Sequence, residues 1–127
     1  MKISKDFQKF HLHDGIINQV LYRPESKELV LYIELAYTSP PELGTSGQMV
    51  FSGVEQLKTD SPLEDIDWIN DVWGEIKTAD FTSYQNIDTL ETMSWYVLLY
   101  RRGRDYNESY MLHLEFVAES FEWLPDK

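Results

Sequence analysis

The chain has no cysteine. That excludes a disulfide framework, a thiolate metal site and cysteine nucleophile chemistry, so stability must come from packing. Glycine and proline are scarce, at six and five residues, which rules out a collagen-like or Pro/Gly-rich low-complexity chain. No stretch approaches the roughly 20 apolar residues of a membrane span. The opening Met1 to Phe10 carries charge but lacks the apolar h-region of a secretory signal. A cytoplasmic protein that does not enter a membrane is expected. Basic residues are the last deficit: 11 Lys and Arg stand against 22 Asp and Glu, a formal net charge of -11. Because backbone phosphates demand cations, nucleic acid is not expected as a direct ligand.

What is present is a globular composition. At 127 residues, with 43% hydrophobic and 14% aromatic side chains, the chain can bury a core as one domain spanning 1–127. The charge is uneven. Between Thr59 and Glu91 nine acids face one base, Lys77, so this stretch holds eight of the eleven net negative charges. A field of one sign favours cationic partners and speeds their encounter.

The dominant periodicity is two. Leu29, Leu31, Ile33 and Leu35 alternate with Val30, Tyr32, Glu34 and Ala36, which predicts a strand with one strongly apolar face. Upstream, 10–13 and 16–22 flank Asp14-Gly15, a dipeptide suited to a two-residue hairpin turn, and the next turn is expected at Pro24 to Lys27. After a Pro/Gly/Ser/Thr-rich loop at 38–47, extended character resumes over 48–58, with a parity switch and Gly53 as a candidate bulge. Segments 75–82, 93–102 and 110–123 follow, separated by turns; Tyr110, Leu112, Leu114, Phe116 and Ala118 share one parity. The fold class is therefore mainly β, all-β or α+β, with about seven strands in an antiparallel sandwich or open barrel.

One short helix is expected near 62–71. Ser61 as cap, Pro62 at the first helical position and Glu64 three residues after the cap form a capping box. Leu63, Ile66, Ile69 and Trp73 would face the core. Glu64, Asp67 and Asp71 would form an outward carboxylate ridge, with Trp68 as an aromatic anchor for a partner.

Several constellations carry possible chemistry. His11 and His13, two apart, are candidate metal ligands, but a catalytic site needs a third ligand and the remaining histidine, His113, is distant in sequence. Asp65, Asp67, Asn70 and Asp71 offer calcium-type oxygens without the spacing or glycine of an EF-hand loop. Trp68, Trp73, Trp95 and Trp123 could stack sugars beside carboxylates. Arg101, Arg102 and Arg104 could bind an anion, lock against the acidic stretch, or serve as a solvated hairpin end. No nucleophile elbow, Walker loop or dinucleotide fingerprint occurs, and no carboxylate pair is singled out. The reading is a non-enzymatic protein, without a cofactor, that binds a basic protein partner; a carbohydrate- or metal-binding module is the alternative.

The run Phe10-His11-Leu12-His13-Asp14-Gly15-Ile16-Ile17, the alternating Leu29-to-Leu35 strand and the apolar Met49-to-Val54 segment together resemble small bacterial β-rich proteins, some of them similar to immunity proteins of toxin systems. The likeness spans residues 10 to 58 and carries no catalytic residues. It implies a small, acidic, cytoplasmic protein that binds and neutralises a basic toxin domain.

Overall fold

Alternation of apolar and polar side chains produces eight antiparallel strands among the described residues, as expected for a chain rich in β-branched and aromatic residues. The computed structural model describes residues 10, 12–36, 40–68, 70–82, 91–101 and 109–126, with the backbone alone at 80–82 and 91. The strands are β1 (Ile16–Arg23), β2 (Glu28–Glu34), β3 (Ser46–Ser52), β4 (Glu55–Thr59), β5 (Val72–Thr82), β6 (Glu91–Arg101), β7 (Tyr110–Ala118) and β8 (Ser120–Pro125). All belong to one sheet in the order β4-β7-β6-β5-β1-β2-β3-β8.

The two outermost strands are continuations of inner ones. β3 bends at Gly53 into β4, and β7 bends at Glu119 into β8. β3 pairs with β8 from Gly47↔Pro125 to Ser52↔Ser120, and β4 pairs with β7 from Glu55↔Val117 to Thr59↔Leu114. Two long bent strands therefore run antiparallel along each other. Gly53 takes φ 66, and a Cβ there would meet the Glu119 side chain at 2.7 Å, so the two bends are packed against each other. The Glu119 amide donates to the Ser52 carbonyl at 2.9 Å, carrying the ladder across the corner.

The inner face is the core. Leu29, Leu31 and Ile33 of β2, Met49 and Phe51 of β3, Trp95 and Val97 of β6, and Leu112, Leu114 and Phe116 of β7 are buried. The Phe51 ring meets Trp95 edge-on at 6.2 Å and Phe116 at 5.0 Å. Because β3 and β6 stand four places apart in the sheet order, those contacts require the sheet to fold over its own inner face.

Three expectations need correction. The extended stretch at 48–58 is two strands, and so is 110–123, each broken at its bend. Asp14-Gly15 does not centre a hairpin: the Gly15 amide donates to the Leu12 carbonyl at 2.9 Å, so His13 and Asp14 are the central residues, Asp14 with φ 68. Leu12 is in irregular backbone rather than a strand. The helix near 62–71 is absent. Leu63–Asp65 form a single 3-10 turn, Pro62 stands at its cap without a side-chain bond, and Ile66 is already extended at φ -93, ψ 119. Ser61 serves Thr59 instead, their side-chain and backbone groups bonding at 2.8 and 3.3 Å. Ile69, expected on the core face of that helix, lies outside the described residues, as do the turn expected at 103–108 and, up to residue 90, the one expected at 86–91.

Candidate functional site

The segment from Asp60 to Asp71 holds five acids and no base, and it is laid along the sheet between β4 and β5. Its apolar residues hold it there: Leu63 and Trp68 are buried, and Ile66 packs against the core. Asp67 then closes the far end. Its Oδ1 accepts the Asn70 amide at 3.0 Å and its Oδ2 the Asn70 side-chain amide at 3.2 Å, while its carbonyl accepts the amides of Asp71 and Val72. Such a side-chain-capped turn offers the backbone an alternative to helix.

Between this segment and β1 runs a cleft of about 820 Å³. Gln19, Val20, Leu21 and Tyr22 form one wall; Leu63, Glu64, Ile66, Asp67 and Trp68 form the other, with Leu57 and Thr59 of β4 at the end. Among the described residues, no lysine or arginine lines it.

The expected ridge of Glu64, Asp67 and Asp71 dissolves into separate roles. Asp67 is tied to Asn70. Asp71 lies 3.2 Å from the Arg101 guanidinium, which answers one question about the arginine cluster: Arg101 locks against the acidic segment of its own chain. Arg102 and Arg104 lie outside the described residues. Trp68 is 4% exposed, so it packs under the segment rather than standing out as an anchor. Asp60 accepts the His113 amide at 3.0 Å, and Glu75 pairs with Lys77, whose pKa that contact raises. Glu64 and Asp65 remain: both are exposed, and among the described residues their carboxylates make no hydrogen bond or ion pair. Asp65 was not among the expected partner-binding residues, since a helix would have turned it away from Glu64.

The histidines do not converge. His11 lies outside the described residues. His13 sits on the turn before β1, 70% exposed, with Nδ1 2.8 Å from the Lys77 carbonyl and Nε2 3.4 Å from Asp14. His113 stacks on Tyr96 at 4.4 Å on the outer face of β6 and β7. Among the described residues, no three His, Asp or Glu side chains are grouped as a metal would require, and no helix is long and apolar enough to cross a membrane. Of the tryptophans considered for sugar stacking, Trp95 is fully buried and Trp73 is covered on one face by Tyr100 at 4.7 Å.

Scans against protein-family models, curated proteins and solved structures each returned no match to this chain.

Proposed function

We propose that this chain is a non-enzymatic binding domain that takes a basic protein partner at the cleft between β1 and the 60–71 segment. One observation carries the reading: two exposed carboxylates with no internal partner among the described residues stand at a cleft lined by Val20, Leu57, Leu63 and Ile66, Glu64 on its wall and Asp65 next to it in the chain. Carboxylates left unpaired beside an apolar recess steer a cationic surface in and then let an apolar or aromatic side chain bury itself. Neutralisation of a basic toxin in the cytoplasm, the activity implied by the resemblance to immunity proteins, is the specific form we favour.

The test is capture from native cells followed by kinetics on the purified pair. A partner of high pI is expected, whose association slows about tenfold or more at low salt when Glu64→Lys and Asp65→Lys are combined. An unaltered rate would remove the cleft from the interaction.

A second reading rests on the cleft's size. About 820 Å³ falls within the roughly 300–1,000 Å³ of small-molecule pockets. A glycan array on the purified protein tests it, and binding lost in Ile66→Asp but kept in the Glu64/Asp65 charge reversal would favour it.

A further inference from the structure

We propose that the partner is held as an added β-strand on the open edge of β1. The proposal rests on the acidic-cleft reading above and specifies what enters the cleft: an extended polypeptide segment with basic side chains.

The ladder has a gap beside β1. β1 pairs with β2 from Ile16↔Glu34 to Arg23↔Glu28, with a bulge at Asn18, but with β5 only at Ile16 and Ile17. Beyond that point the chain preceding β5 swings away into the Asp67 turn. Among the described residues, no backbone hydrogen bond joins 18–23 to anything other than β2. In an antiparallel pair, alternate residues direct their N–H and C=O groups away from the neighbour, so about half of the groups between Asn18 and Arg23 have no partner strand.

The cleft lies along that edge. Gln19, Val20, Leu21 and Tyr22 all line it. Successive strand residues point to opposite faces, so a cavity that meets four in a row meets the strand edge-on, at its backbone. An unpaired edge beside a recess is the arrangement that recruits a peptide as an extra strand, main-chain bonds supplying affinity and side-chain pockets specificity. Pro24 ends the edge on the hairpin side and Pro62 stands on the opposite wall, which keeps the added strand short. Charge selects the occupant, because among the described residues the charged ones on the cleft wall are Glu64 and Asp67, with Asp65 exposed beside them.

The probe is a synthetic octapeptide of alternating Lys and Val, compared with the same peptide N-methylated at every second residue, which keeps charge and side chains but deletes edge-pairing donors. Binding is measured by calorimetry and amide exchange is followed at 18–23. The parent peptide is expected to bind, to slow exchange on this edge, and to lose about tenfold or more in affinity on N-methylation, the worth of two backbone hydrogen bonds. Equal binding of both peptides, with exchange at 18–23 unchanged and both weakened by Glu64→Lys with Asp65→Lys, would overturn strand addition and leave the acidic cleft standing. Failure of the parent peptide to bind, or binding indifferent to the charge reversal, would overturn both. Protection of 18–23 by a second copy of the chain, seen as concentration-dependent exchange without peptide, would also overturn the proposal.

Discussion

Arg101 at the end of β6 places one guanidinium nitrogen 3.3 and 3.2 Å from the two carboxylate oxygens of Asp71, the residue just before β5. The contact pins the end of the acidic segment to the sheet and cancels one of its charges. Both side chains are nearly half exposed, at 45% and 48%, so the pair is screened by water. Asp71→Asn is expected to lower stability by no more than about 1 kcal/mol, read from the urea midpoint, and to leave partner association almost unchanged. Glu64→Gln should do the reverse, sparing stability and slowing association.

Phe51 is the hub of the inner face, meeting Trp95, Phe116 and, at 5.8 Å, Phe121. Phe51→Ala opens a cavity that four strands cannot easily collapse into. A loss of about 3–5 kcal/mol is expected, a large share of the total stability of a domain this size. Phe51→Leu should cost less. Urea denaturation followed by tryptophan fluorescence checks both.

β8 is held by close approach and by one specific bond. A Cβ on Gly47 would lie 2.5 Å from the Leu124 carbonyl oxygen and 2.8 Å from the Pro125 Cα, both backbone atoms. Gly47→Ala must therefore push β3 and β8 apart, at about 1–3 kcal/mol. Trp123 Nε1 donates to the Leu43 carbonyl at 2.7 Å, so Trp123→Phe strips a part-buried acceptor of its donor at about 1 kcal/mol or more. Amide exchange should accelerate first at 121–124 in both variants.

Lys27 and Glu55 join the β1–β2 turn to β4 at 2.8 Å. The hydrogen bond to Glu55 raises the Lys27 pKa above its ordinary 10.5, and the reciprocal bond lowers that of Glu55 below 4.5. A lowered carboxylate pKa stabilises the fold above 4.5, an effect lost as pH falls through the lowered value. A raised amine pKa stabilises it below 10.5, an effect lost as pH rises through the raised value. A double-mutant cycle with Lys27→Met and Glu55→Gln should show a small favourable coupling near neutral pH that vanishes at both extremes.

Local pattern made much of this protein legible. The parity of Leu29, Leu31 and Ile33, of Met49 and Phe51, and of Leu112, Leu114 and Phe116 named the core because a strand's side chains alternate whatever lies across the ladder. The Pro24-to-Lys27 turn was equally readable. The acidic stretch was visible as a charge imbalance. The helix was not there to be found: a capping box over about ten residues is too short to hold a helix without packing, and Asp67 with Asn70 closes a competing turn.

The amino-acid sequence by itself determined that the chain is β-rich, which side chains face inward, and that negative charge gathers between 59 and 91. These are properties of composition and of a two-residue period, and they need no knowledge of neighbours. Tertiary structure alone decided which acids are spent. Asp60 meets His113, Asp71 meets Arg101 and Glu75 meets Lys77, and the first two of these pairs join residues 53 and 30 positions apart. It also decided that β1 parts from β5 after Ile17, because the apolar side chains of Leu63, Ile66 and Trp68 draw the intervening chain away. Such outcomes depend on long-range register and packing, which no local pattern encodes.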